Sequence, residues 1–188
     1  KEMLIFKKKV AIFISGRGSN LKNIYKFSKT SKSKFDVTLV VSNKKKVKGL
    51  VFSKSKKIKT IFIDKKIKQF EKESSLLIKK YKINILCLAG FMRILSKEFI
   101  ESVNIPVINI HPSLLPRFKG LNTHARAIAK KEKFSGCTVH HVTSKLDSGK
   151  IILQKKIRIL KKDNEKSLAK KVLKAENRIY PLALNKIC

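Results

Sequence analysis

Three polar residues have the types that acyl transfer to an amine requires. Asn109 and His111 stand two apart in the run Asn-Ile-His-Pro-Ser-Leu-Leu-Pro, and Asp147 stands in Lys-Leu-Asp-Ser-Gly. Such a transfer passes through a tetrahedral intermediate whose oxyanion needs donors, such as an Asn amide or an imidazolium. The leaving nitrogen needs a proton, which a His relays near neutral pH. A carboxylate that meets the His only in the fold can keep it charged or order a water for proton transfer. Plainer readings stand beside these: a histidine bonded within its own proline-rich loop, and an aspartate that favours the turn before Ser148 and Gly149. Pro112 and Pro116 stiffen the loop after His111, which helps to hold polar groups still.

A second group runs from Ser15 through Gly16, Arg17, Gly18 and Ser19 to Asn20, between an apolar run and an amphipathic one. Its glycines let backbone amides approach an anion, Ser19 and Asn20 add donors, and a helix start favours negative charge. The dinucleotide fingerprint fails, because Leu21 takes the place of its third glycine and Ser42 and Asn43 stand where an acidic residue would close the second strand. No Gly-Lys-Ser/Thr makes it a Walker loop. A cradle for one phosphate remains, or a bare tight turn.

The elements that must position these groups alternate. Apolar, β-branched runs predict strands at Lys9–Ile14, Val37–Ser42, Thr60–Ile63, Ile83–Ala89 and Val107–Ile110. Amphipathic runs predict helices at Asn20–Ser28, Lys46–Lys56, Gln69–Tyr81, Ser96–Ser102 and Thr123–Lys131. Alternation through Thr138–Thr143 and Ile151–Ile159 predicts an antiparallel extension, and a last helix over Asn164–Tyr180 is expected to stop at Pro181. The expected class is α/β: one domain, with a mostly parallel twisted sheet and helices on both faces. In such sheets ligands bind beyond the carboxyl ends of the strands, where SGRGSN, GFMRIL and HPSLLPRFKG all fall.

Composition narrows the class. At 188 residues and 43% hydrophobic content, the chain suffices for one domain with a sizeable core. No apolar run approaches membrane-spanning length, and the start, Lys1–Lys9, leads into only a short apolar run, so a cytoplasmic protein with no membrane partner is expected. Cys87, Cys137 and Cys188 are scattered and odd in number, which suggests neither a disulfide framework nor a zinc site. The net charge of +34 would attract any polyanion. Yet only six of the 46 basic residues are Arg, and Trp is absent, whereas nucleic-acid readers favour Arg and stacking aromatics. No dedicated nucleic-acid partner is expected.

The landmarks ISGRGSN, LAGFMRIL, INIHPSLLPRFKG, GCTVHHVTSKLDSG and ENRIYP occur in the order and roughly the spacing of one family. On them the whole chain resembles the folate-dependent phosphoribosylglycinamide formyltransferases of purine synthesis. The resemblance implies that the formyl group of 10-formyltetrahydrofolate, a co-substrate, passes to the amine of 5-phosphoribosylglycinamide with no metal required. It implies a catalytic trio of Asn109, His111 and Asp147, and acceptor contacts at Gly18, Ser19, Asn20 and Glu176. It places the folate against Met92, Arg93, Ile94, Leu95 and Asn109, and against Thr143, Ser144, Lys145 and Leu146. It divides the domain into an acceptor-binding part at about 9–90, a folate-binding and catalytic part at about 88–160 and a closing helix, in a monomer or homodimer.

The pattern breaks at Phe118, Lys119, Gly120, Leu121 and Asn122, where the family commonly has Tyr-Pro-Gly-Leu-His, and at His141, where an aromatic is expected. Strand alternation sends His140 and His141 to opposite faces, so one at most lines a site. Three alternatives accompany the resemblance. Methionyl-tRNA formyltransferase shares Asn-x-His but carries a further carboxyl-terminal domain that 188 residues are not expected to house, and its first loop lacks the Gly-Ser-Asn cradle. Formyltetrahydrofolate hydrolase usually carries an amino-terminal regulatory domain, and here the first strand begins almost at once. A non-catalytic basic protein would bind nucleic acid through its lysines, with steep salt dependence.

Overall fold

The computed structural model describes residues 6–188; residues 1–5 of the Lys1–Lys9 opening lie outside the described residues. The chain runs β1 (Lys8–Ile14), α1 (Ser19–Ser28), β2 (Phe35–Ser42), α2 (Lys48–Ser55), β3 (Lys59–Phe62), α3 (Ile67–Lys80) and β4 (Ile85–Leu88). It continues through α4 (Lys97–Ser102), β5 (Val107–His111), α5 (Thr123–Ala129), β6 (Phe134–His141), β7 (Ile151–Arg158) and α6 (Glu165–Ile187). The strands form one sheet in the order β3-β2-β1-β4-β5-β6-β7. β1 to β5 pair in parallel, and β6 and β7 extend the sheet antiparallel, so the expected α/β architecture is the one observed.

Strand alternation builds two cores. Val10, Ile12, Ile14, Cys87, Ile108, Ile110, Cys137 and Val139 pack with Leu21 and Ile24 of α1 and Leu168, Val172 and Tyr180 of α6. Ala11, Phe13, Leu86, Leu88 and Val107 pack on the opposite face with Phe70, Ile78 and Phe99 of α3 and α4. Both faces of the central strands are therefore covered, and these strands read as near-continuous apolar runs. The chain order reverses direction between β1 and β4, which opens the crevice where sheets of this kind take ligands.

Two expectations need correction. Pro181 does not end the last helix, which continues through it to Ile187. A proline inside a helix forfeits one backbone bond, a cost of about 3 kcal/mol. Here Pro181 is buried, and Ala183 and Leu184 beyond it are fully buried. Asn185 ties the far end down, accepting from Lys34 N at 2.8 Å and donating to Lys32 O at 3.2 Å. β6 also begins earlier than alternation suggested, because Phe134–Gly136 keep pairing with Arg158–Lys156. A Cβ at Gly136 would lie 2.0 Å from Lys155 O, so close strand approach, not hydropathy, selects that residue.

All three cysteines are free, and burial pushes the Cys137 thiol up to about 12, so it is no nucleophile. Among the described residues no helix is long and apolar enough to cross a membrane.

Candidate active site

β5 delivers Asn109 and His111. Ile108 and Ile110 point into the α1–α6 core, so Asn109 and His111 project to the other face, as their spacing requires. β6 pairs Asn109 with His140 and His111 with Thr138, and Cys137 and Val139 again take the core side. Asn109, His111, Thr138 and His140 therefore share one face at the end of β5.

Asp147 reaches this group from the β6–β7 connection. It has φ 46°, a left-handed turn residue, yet its side chain is buried, with Oδ2 3.3 Å from His111 Nδ1. Gly149 makes that approach possible: a Cβ there would fall 1.8 Å from His141 O. The Gly120 amide donates to the same Asp147 oxygen at 2.9 Å, and His111 Nε2 donates to Phe118 O at 2.8 Å. Both ring nitrogens of His111 therefore face acceptors. The bond to the Phe118 carbonyl fixes a proton on Nε2 and leaves Nδ1 turned to the carboxylate.

His140 is the other buried histidine here, with Nε2 3.8 Å from Asp147 Oδ1. Its Nδ1 donates to His141 O at 2.8 Å, which leaves Nε2 as a buried acceptor without a partner. Desolvation lowers its basicity, and the nearby Asp147 charge only partly opposes this. His141 lies on the opposite side and is partly exposed, as alternation predicts.

Across the crevice, α1 starts at a left-handed Gly18 (φ 72°), and no side chain caps its first amides. The turn packs against the start of α2: Gly49 N donates to Gly16 O at 3.2 Å, and a Cβ on Gly18 would lie 2.9 Å from Gly49 Cα. Asn20 Nδ2 donates to Glu176 Oε2 at 3.0 Å, while Asn20 Oδ1 is buried without a partner. Burial pushes the Glu176 carboxyl up to about 7, against the lowering effect of the Asn20 bond. The Glu176 charge in turn raises the buried Cys137 thiol, on the α1–α6 side of β6.

The 92–95 segment follows β4. Met92 and Ile94 are 71% and 76% exposed, whereas Leu95 is core and Arg93 donates to Lys65 O at 2.6 Å above the Phe70 ring. Met92 and Ile94 thus present an open apolar lip, and Arg93 and Leu95 anchor it. Leu146 is 54% exposed, and Thr143 and Lys145 close a tight turn through Thr143 Oγ1. Surface cavities of about 390 and 420 Å³ lie around Lys131–Lys133 and include none of the site residues expected from sequence.

Several positioning groups carry no sequence signal. Ser15 Oγ donates to Asn43 Oδ1 at 2.6 Å and accepts from Met92 N at 2.8 Å, which joins the ends of β1, β2 and β4. The buried Glu71 accepts from Ser96 N and Oγ at 2.6 and 2.8 Å and fixes the far end of the 92–95 segment. Gly120 acts through its backbone, which no residue type announces; only the left-handed preference of glycine hints at it.

A family profile described as Formyl transferase matches residues 8–184. The chain belongs to the formyl transferase family. Phosphoribosylglycinamide formyltransferase from Escherichia coli (strain K12) is 38% identical over 181 residues, which cover 94% of this chain and 85% of that protein. The human trifunctional purine biosynthetic protein adenosine-3 is 40% identical over 182 residues. This chain spans only 18% of that protein's length. The crystal structure of phosphoribosylglycinamide formyltransferase from Brucella melitensis superposes with TM-score 0.92 at 39% identity, over 96% of this chain and 95% of that one. Within this formyl transferase fold, the His111–Asp147 pair sits at the end of β5, beside the β1–β4 crevice.

Proposed function

We propose that the chain transfers the formyl group of 10-formyltetrahydrofolate to the amine of 5-phosphoribosylglycinamide. One observation carries the reading most: the Asp147 carboxylate is buried against His111 at the end of the strand that also presents Asn109. Family membership and the similarity to proteins named for this reaction support it.

In this reading the Asn109 amide donates to the formyl oxygen as the amine adds to the formyl carbon. The His111 imidazolium, held between Phe118 O and Asp147, is a fixed positive charge beside it. Charge placed in advance costs no reorganisation as the oxyanion forms. The amine sheds a proton and the departing nitrogen takes one, and Asp147 relays it. The uncapped amides of Ser19 and Asn20 at the Gly18 turn suit a phosphate, and the partnerless Asn20 Oδ1 beside Glu176 suits N–H donors of the acceptor. The exposed apolar side chains of Met92, Ile94 and Leu146 suit a flat ring system whose polar edge meets backbone groups.

The test is direct. Purified protein is mixed with 10-formyltetrahydrofolate and 5-phosphoribosylglycinamide, with methionyl-tRNA and water as competing acceptors. Formylated ribonucleotide is the expected product. Formylation of tRNA alone, or release of formate alone, would replace this reading with one of the family's other activities.

A further inference from the structure

Residues 118–121 form a strap across the His111–Asp147 pair. The Phe118 carbonyl accepts a hydrogen bond from His111 Nε2, and the Gly120 amide donates to Asp147 Oδ2. That grip demands an unusual backbone, with positive φ at Phe118 (54°), Gly120 (75°) and Asn122 (55°). Glycine adopts it freely, but the Cβ of Phe118 opposes it. The strap therefore needs support from outside the pair.

We infer that Arg126 of α5 is that support, a positioning residue that acts on the catalytic pair through the strap's backbone. Its guanidinium donates to Lys119 O at 2.7 Å and to Leu121 O at 3.3 Å, the carbonyls on either side of Gly120. It also lies 5.3 Å from the centroid of the Phe118 ring. One planar group thus fixes the Lys119–Gly120 peptide that carries the Gly120 amide, the Leu121–Asn122 peptide beyond it, and the side chain of the residue whose carbonyl holds His111. Lys119 secures the other side, donating from Nζ to Ser148 Oγ at 2.5 Å, next to Asp147. Arg126 is exposed and touches neither His111 nor Asp147 in the contacts above, so sequence alone marks it as a solvated helix residue.

The inference uses the proposed formyl transfer for its kinetic readout only. Arg126→Met removes both bonds and should lower kcat about tenfold, since small displacements at a reacting centre are costly. KM for the ribonucleotide should stay within about twofold, because the acceptor contacts lie elsewhere. Arg126→Lys, which keeps one cationic donor, should recover most of the rate. In a His111→Ala background the Arg126→Met change should have a smaller effect, because only the route through the Gly120 amide to Asp147 remains. In ¹⁵N-labelled protein the His111 Nε2–H resonance should be visible in wild type and lost in Arg126→Met, with the remaining spectrum retained. Arg126→Gln serves if the Met variant does not fold. An equal loss of rate in both backgrounds, or an unchanged ring resonance, overturns the assignment. Wild-type protein that fails to formylate the ribonucleotide, yet shows the expected change in the resonance, defeats the proposed function and leaves the positioning role standing.

Discussion

Burial gives His111 and Asp147 their leverage, and Asn109 stands partly buried beside them. A donor or fixed charge aimed at developing charge in a desolvated site stabilises it by several kcal/mol, and removing one such group typically costs about 10²- to 10³-fold in rate. Asn109→Ala and His111→Ala should each lower kcat within that range, and near wild-type turnover in either would remove it from the mechanism. Asp147→Asn keeps shape but loses the charge opposite the imidazolium, so a comparable fall is expected, with an altered pH–rate profile. Glu176 makes a prediction of a different kind. Its folded carboxyl is raised from 4.5 to about 7, so the folded state holds a proton that the unfolded state has released. Stability from this group is complete below about pH 4.5 and is lost as pH rises through about 7. A shift of this size corresponds to roughly 3 kcal/mol. Glu176→Gln should therefore gain on wild type in denaturant melts between pH 5 and pH 8; parallel pH dependence in the two proteins would show that the carboxylate is not desolvated.

Elements aim these residues, and the central ones were legible because burial writes itself into hydropathy. β1, β2 and β5 lie within a residue or two of their predicted bounds, since burial makes each a mostly apolar run. The shared side of Asn109 and His111 followed from strand period alone. Pro181 misled, because a local rule about proline is outweighed by burial of Ala183 and Leu184, which only the tertiary structure reveals. The strap and the Ser15–Asn43 link were invisible because backbone groups and unremarkable polar residues do the holding. Tyr180 shows how an element is pinned: on α6, fully buried, its one hydroxyl proton is shared between Leu88 O at 2.9 Å and Ile108 O at 3.1 Å, binding the helix to β4 and β5. Tyr180→Phe should destabilise by about 1–3 kcal/mol, read as a lower Tm, because buried carbonyls lose their donor. Gly149→Ala bears on function instead: its Cβ cannot coexist with His141 O, so the Asp147 turn must shift. Its kcat should fall toward that of Asp147→Asn while the acceptor KM holds, and unchanged kinetics would show that the turn tolerates the displacement.

At the scale of the whole molecule the open question is what a net charge of +34 does. Forty of the 46 basic residues are Lys, spread along the chain rather than gathered at the site. Exposed charges of this kind act over a Debye length, roughly 8 Å at physiological salt and 3 Å at 1 M. The proposed acceptor carries a phosphate and the proposed donor carries carboxylates, so a positive surface steers both toward the crevice. Steering changes encounter, not chemistry, because the His111–Asp147 pair is buried and little screened. The expected signature is therefore split. Between low salt and about 0.5 M salt, kcat/KM for the ribonucleotide should fall severalfold while kcat stays nearly constant. A non-catalytic nucleic-acid binder would behave otherwise: its affinity for RNA would collapse over the same range and survive His111→Ala. Should kcat/KM prove flat in salt, the lysines contribute nothing to substrate capture, and the Gly18 turn with its uncapped helix start must supply the phosphate attraction alone.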